Sequence, residues 1–205
     1  MQLYTLTLGQ LGTNCYIAAN SSNNCLVIDA PDDADTILEF IKEKNLTVSQ
    51  IVLTHGHFDH ILALAALHDA TGAPIAIHEN GAAFLKDGIN NLCHYAGIPW
   101  TPIKPQRLLH DGDTITLDDL SFQVLYTPGH TADCICLYTD SILFSGDTLF
   151  CRSIGRTDHP TGDMQQEIAS ILQKLMPLPD KTKVYPGHGS STTIGEERRE
   201  NPYLQ

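Results

Sequence analysis

Positive charge is scarce in this sequence. Its 12 lysines and arginines stand against 24 aspartates and glutamates, giving a net charge of −12 over 205 residues. That balance argues against nucleic acid or an anionic membrane surface as a partner, since binding to either is dominated by clustered cations. The adjacent pair Arg198-Arg199 does not break the trend, because glutamates flank it. Long apolar runs are missing too. The longest, Ile61 to Leu67, falls far short of the roughly 20 residues that cross a bilayer. The start, Met1-Gln2-Leu3-Tyr4, carries no basic region followed by an apolar stretch, so no secretory leader is expected and the protein reads as cytoplasmic. None of the 6 cysteines forms a Cys-x-x-Cys pair. Reduced, mostly buried thiols are the expectation. No Gly-x-Ser-x-Gly run is present, so a serine nucleophile elbow is not expected. Repeats, low-complexity tracts and Pro/Ser-rich linkers are also absent, and residues 1–205 read as a single domain.

What remains is the composition of a globular chain, 42% hydrophobic and 18% charged. Strand patterns run over Leu3–Leu8, Asn14–Ala18 and Cys25–Asp29, bounded by Gly or Asn. Helical spacing follows over Asp32–Lys44, with aspartates at its start where they suit a helix N-terminus. A short apolar strand, Gln50–Thr54, ends at His55. Helical spacing resumes from His60 to Ala70 and stops at Gly72, and Pro74–Ile77 reads as a buried strand. The stretch Gly88–Pro105 looks irregular. A second strand series follows: Thr114–Leu117, Phe122–Thr127, Ile135–Tyr138 and Ile142–Ser145. Gly162-Asp163 is placed to cap a helix over Met164–Met176. Lys183–Tyr185 reads as a last strand and Gly195–Glu200 as a short helix. Strand clusters accompanied by helices predict two sheets with helices outside, an α/β arrangement.

Chemistry concentrates in one run. Thr54-His55-Gly56-His57-Phe58-Asp59-His60 places four potential metal ligands on the loop that leaves an apolar strand. Single histidines are usually ordinary hydrogen-bonded residues, and His68, His78, His94, His110 and His159 are read that way. The cluster cannot be, because burying these groups without partners would be costly. Three more candidates end strands: His130 in Thr127-Pro128-Gly129-His130, Asp147 in Ser145-Gly146-Asp147-Thr148, and His188 in Tyr185-Pro186-Gly187-His188. Glycine beside a crowded site gives the backbone room. Seven ligands exceed one tetrahedral zinc. They divide into His55, His57 and His130 for one ion and Asp59, His60 and His188 for another, with Asp147 as the bridge. Imidazole and carboxylate together suit zinc first, and iron or manganese next. Two such ions about 3.5–4 Å apart can activate water and polarise a carbonyl or phosphoryl oxygen.

The motif His-x-His-x-Asp-His, followed by Pro-Gly-His, Gly-Asp-Thr and a second Pro-Gly-His, resembles the metallo-β-lactamase superfamily from about residue 3 onward. The resemblance implies a four-layer αββα sandwich with two metals at one sheet edge. It also implies the same division of ligands. Within the superfamily the sequence is most similar to short, single-domain glyoxalase II-like hydrolases, through Gly146-Asp147-Thr148-Leu149-Phe150, Gly155-Arg156-Thr157-Asp158 and Asn201-Pro202-Tyr203-Leu204. That branch implies a binuclear hydrolase of a small thioester such as S-D-lactoylglutathione, with Asp59 bound to one metal and orienting the nucleophile. Classical glyoxalase II has an added C-terminal helical segment that helps bind glutathione. This sequence ends soon after His188, so weaker glutathione contacts are expected. Ala63 stands where the family usually has Gly, Ala132-Asp133-Cys134 replaces a commoner Pro-Gly-Ser, and Phe58 is bulky enough to wall the pocket.

The Gly-Arg-Thr-Asp run is shared with persulfide dioxygenases, a mononuclear iron branch that would use His55, His130 and Asp147. That branch usually has Ala-His-Asp-Tyr where this sequence has Gly187-His188-Gly189-Ser190, which favours hydrolysis. The same ligand set also allows lactone or phosphodiester hydrolysis, or a non-catalytic metal-dependent scaffold. Arg156 suits bidentate contact with a substrate carboxylate. A structural salt bridge with Asp158 or Asp163 weighs about equally. Composition leaves the oligomeric state open.

Overall fold

The computed structural model describes residues 1–205. Two six-stranded sheets pack face to face. The first contains β1 (Gln2–Leu8), β2 (Thr13–Ala19), β3 (Asn24–Ile28), β4 (Thr47–Val52), β5 (Ile75–His78) and β6 (Arg107–Leu109), in that spatial order. Its first two pairings are antiparallel hairpins, and β3 to β6 run parallel. Parallel neighbours need crossovers, which α1 (Ala34–Glu43) and α2 (Leu64–Thr71) supply. Asp33 caps α1 by accepting from the Thr36 N–H. The second sheet contains β7 (Thr114–Leu117), β8 (Leu120–Tyr126), β9 (Ile135–Thr139), β10 (Ile142–Gly146), β13 (Lys183–Pro186) and β14 (Thr192–Thr193), with β14 and β7 at its two edges. Two short strands, β11 (Leu149–Phe150) and β12 (Ser153–Ile154), form a separate hairpin. Asp163 caps α5 (Met164–Ser170) through the Gln165 and Gln166 N–H groups, as its position predicts. α5 continues as a π-helical turn over Ile171–Leu175, and α6 (Ile194–Glu200) lies near the chain end.

The side-chain alternation of the strands sorts the core into three layers of contact. On β2, Cys15, Ile17 and Ala19 face the helices with Ile37, Ile41, Leu64 and Leu67. Tyr16 and Ala18 face the second sheet, meeting a layer that includes Phe122, Val124, Leu137 and Phe144. The far side of that sheet packs Leu125, Cys136, Leu143 and Val184 against Ile171, Leu175 and Ile194. Every residue of β2 is therefore buried, and the strand is apolar from Cys15 to Ala19 after its polar start at Thr13 and Asn14. The result is the expected αββα sandwich. All six cysteines are unpaired, with Cys151 exposed and the others buried. No helix is long and apolar enough to cross a membrane.

Some expected elements differ. The helix read from His60 begins at Leu64, because Phe58–His60 forms a 3₁₀ turn and the Ala63 N–H is taken by Ala30 and Pro31 carbonyls. The irregular stretch from Gly88 contains a short helix, α4 (Cys93–Ala96), and another, α3 (Ala82–Lys86), precedes it. Strand β6 leaves no trace in the pattern, since its Arg107 and Leu108 are half-buried and exposed at a sheet edge.

Candidate metal centre and active site

Strands β4, β8, β10 and β13 all end at one edge of the sandwich. β8, β10 and β13 run the same way, since β9 lies antiparallel between β8 and β10 while β10 and β13 pair in parallel. Their carboxyl ends therefore open onto one crevice, the usual place for a site in sheets of this kind. His55, His57, Asp59 and His60 follow β4. His130 follows β8, Asp147 follows β10 and His188 follows β13.

All seven converge. The donor atoms of His55, His57 and His130 lie within 4.8 Å of one another, as do those of Asp59, His60 and His188. A third triad, His55, His60 and Asp147, meets the same limit. Asp147 spans the two sides: one oxygen is 3.6 Å from His130 Nε2 and the other is 3.4 Å from His60 Nε2. His57 Nδ1 lies 2.9 Å from His130 Nε2, and His188 Nε2 is 3.1 Å from Asp59 Oδ2. Buried histidine and carboxylate atoms normally find partners. Here His55 Nε2, His57 Nε2, His60 Nε2 and Asp147 Oδ1 are buried and have none. These partnerless atoms, set among three donor triads, fit cations, and the chemistry of the donor set fits a binuclear site.

The surrounding groups hold the rings from behind. Asp29, at the end of β3, accepts from His60 Nδ1 at 2.8 Å, from the Thr54 N–H at 2.7 Å and from Thr54 Oγ1 at 2.8 Å. His60 thereby presents Nε2 forward, the arrangement that orients metal-binding histidines. His130 Nδ1 donates to the Arg156 carbonyl at 2.7 Å, His188 Nδ1 donates to the Leu11 carbonyl at 3.2 Å, and Thr13 Oγ1 donates to Asp59 at 2.9 Å. Buried Glu167, on α5, accepts from the His130 N–H at 2.8 Å. Close approach sets the glycines. A Cβ on Gly187 would stand 2.2 Å from Asp147 Oδ1, and one on Gly129, whose φ is +151°, 2.2 Å from the Glu167 backbone.

Electrostatically the two sides differ. Burial holds His55 well below the usual imidazole range, with His60 adding to the effect. Burial, reinforced by His130, takes His57 down to about 3, and burial lowers His130 as well. On the other side, burial opposes charge but loses. Asp59, Asp147 and Asp29 raise His60 well above its ordinary value, and hydrogen bonds to Asp147 and Asp59 raise His188 to about 10. Burial likewise pushes Asp59 and Asp147 up, yet the facing histidines outweigh it. Asp59 falls to about 2 and Asp147 well below its ordinary value. Glu167 is pushed up to about 8, chiefly by burial.

Arg156 lies on the crevice wall and is exposed. Its Nε and Nη2 each contact Asp158 at 2.7 Å, while Asp163 is occupied as the cap of α5. Of the two ion pairs open to Arg156, the one with Asp158 forms. His159 belongs to none of the donor triads, yet it stands close to them. Its ring stands 5.7 Å from that of His57 and lines the same crevice. His68, by contrast, donates to the Ala73 carbonyl at the end of α2. Sequence reasoning misses Asp29 and Glu167. Asp29 has a signal, since it ends an apolar strand as the ligands do, but Glu167 looks like any acid in a first helical turn.

A sandwich of this topology, with this ligand order on its strand ends, defines a class of metal-dependent enzymes that are mostly hydrolases. The chain belongs to the metallo-β-lactamase superfamily, whose family model matches residues 8–188. Among its relatives it is 36% identical to the hydroxyacylglutathione hydrolase GloC of Haemophilus influenzae, over 93% of this chain and 92% of that one. It is similar to the crystal structure of the BLEG-1 B3 metallo-β-lactamase, with 38% identity, a TM-score of 0.94 and 99% of each chain covered. It is also similar to TTHA1623 in a di-iron-bound form, with 36% identity and a TM-score of 0.88, covering 98% of this chain and 100% of that one.

Proposed function

We propose that this protein is a binuclear metal-dependent hydrolase of a small thioester. The observation that carries the reading is the pair of donor triads bridged by Asp147, with four buried donor atoms lacking any partner. The similarity to a hydroxyacylglutathione hydrolase along nearly the whole chain points to S-D-lactoylglutathione or a related acyl-thioester as the substrate class. Zinc is the metal this donor set suits first, with iron or manganese as substitutes.

His55, His57 and His130 would hold one ion, and Asp59, His60 and His188 the other, with Asp147 between them. Such a pair of ions supplies Lewis acidity that polarises the carbonyl and makes water nucleophilic at neutral pH. The chain's own groups do the positioning. Asp29 fixes the His60 ring, and the Arg156 carbonyl and Glu167 fix His130. Asp59, steadied by Thr13, stands at the mouth of the crevice, where its free oxygen can orient the attacking water. Water adds to the carbonyl carbon, the tetrahedral intermediate collapses, the C–S bond breaks and the thiolate takes up a proton on release. Phe58 and Leu92 wall the crevice and limit bulk water. Arg156, although paired, stays on the wall within reach of a substrate carboxylate.

The test is turnover by metal-reconstituted protein on matched thioester, lactone and phosphodiester substrates. Thioester hydrolysis at a kcat/KM at least ten-fold above the other two is expected. A preference for the phosphodiester or lactone would move the protein to another hydrolase group.

A further inference from the structure

The crevice does not end at the ligands. It continues into a groove of about 640 Å³ that shares Leu11, Phe58, Leu92, Arg156 and His159 with the metal cavity and adds Tyr95, Ala96 and Pro160. Its surface is apolar where apolar groups are expensive to leave in water. Leu11 is 56% exposed and Tyr95 67% exposed, both large hydrophobic side chains facing solvent at the door of a polar site. Neither the cavity nor the groove contains a lysine, and its single arginine has the Nε–Nη2 edge of its guanidinium paired with Asp158.

The groove wall is held in place. The Asn91 carbonyl accepts from the Phe58 N–H at 2.8 Å, tying the wall to the ligand loop, and Asn91 Nδ2 donates to the Phe84 carbonyl at 3.1 Å. Next to it, Leu92 adopts φ 69°, a left-handed backbone that a bulky residue rarely takes. That conformation sets Leu92 at the junction of cavity and groove, and such outliers concentrate where a ligand surface is being shaped.

We propose that this groove binds an uncharged, apolar thiol arm of the substrate, so that the preferred thioester carries an aromatic or branched alkyl thiol and not an anionic peptide thiol. The inference rests on the thioester-hydrolase reading and narrows it. An anionic tripeptide brings two carboxylates to a groove that has no lysine and whose one guanidinium is already paired along one edge with Asp158. An apolar arm instead covers Tyr95, Leu11 and Phe58 and gains from every Å² removed from water.

Two measurements test it. The first compares hydrolysis of the D-lactoyl thioester of benzyl mercaptan with that of S-D-lactoylglutathione by the wild type, Tyr95→Phe and Tyr95→Glu. The benzyl thioester is expected to have a kcat/KM about ten-fold higher. Tyr95→Phe should keep that preference. Tyr95→Glu should lose it, through a fall of about ten-fold in kcat/KM for the benzyl thioester. The second measures calorimetric binding of the non-hydrolysable benzyl acetonyl sulfide against S-acetonylglutathione, with the same order expected. Equal or tighter binding of the glutathione ligand, or a preference untouched by Tyr95→Glu, overturns the groove assignment even if thioesters are hydrolysed. Preferential binding of the benzyl ligand that Tyr95→Glu abolishes, with no thioester turned over, upholds the groove and removes the hydrolase reading instead.

Discussion

Loading the two metal positions should release protons unequally. In the metal-free protein His55, His57 and His130 are all held below their ordinary values and are neutral at pH 7, so an ion entering there displaces no proton. His60 is raised well above its ordinary value and His188 to about 10, so both carry a proton at pH 7. Asp59, at about 2, is already ionised. An ion held by Asp59, His60 and His188 must expel those two imidazole protons, because the ligands bind in their deprotonated forms. Raising the pH removes competing protons, so affinity at this second position rises with pH until His188 titrates near 10. With the His188 proton displaced, the apparent affinity there should rise by at least about ten-fold between pH 7 and pH 8, and that of the first position hardly at all. Zinc titration calorimetry of the metal-free protein, repeated in buffers of different ionisation enthalpy, counts the protons. About two in total, nearly all with the second ion, is the expected result. Equal release with both ions, or none with either, would refute the division of the ligands into a neutral and a protonated side.

Three substitutions probe separate parts of the centre. Asp59→Ala should lower kcat by about 10²–10⁴-fold while leaving the circular dichroism spectrum unchanged; wild-type turnover in a fully metallated variant removes Asp59 from the chemistry. Asp29→Ala strips the acceptor from His60 and Thr54 and should weaken the second metal about 10–100-fold, with a loss of about 1–3 kcal/mol in denaturant unfolding. An unaltered second dissociation constant would mean that His60 is held in place without it. Gly187→Ala puts a methyl group 2.2 Å from Asp147 Oδ1, on a backbone pinned by the Asn14 N–H and the Gly146 carbonyl at 2.7 Å each. Elemental analysis should find at least one metal equivalent missing, and full occupancy would show that the strand end yields.

The candidate ligands are legible in the sequence because four of them fall in one short run. Their clustering has no packing explanation, and Pro-Gly-His recurs where other strands stop. The layer order is legible because the strands alternate between two buried faces. Other features depend on contacts distant in sequence. Asp29 acts on a histidine 31 residues away, and Glu167 acts on one 37 residues away. Nothing local distinguishes His159 from His94, yet the His159 ring faces His57 while that of His94 meets Tyr95. The helix start is misleading in the pattern, because the spacing from His60 to Ala70 suits a helix. The ligand loop instead spends the first turn as a 3₁₀ segment that turns His60 inward.

The most direct test separates hydrolysis from oxygen chemistry in the same fold. Metal-reconstituted protein is given S-D-lactoylglutathione under anaerobic conditions while thiol release is followed, and glutathione persulfide in air while oxygen uptake is followed. A second metal has a use in hydrolysis, whereas an iron oxygenase needs open positions on one ion beside three protein ligands. Anaerobic thiol release that depends on Asp59, with no oxygen consumed on the persulfide, is the predicted result. Rapid oxygen uptake with no anaerobic thiol release would contradict it.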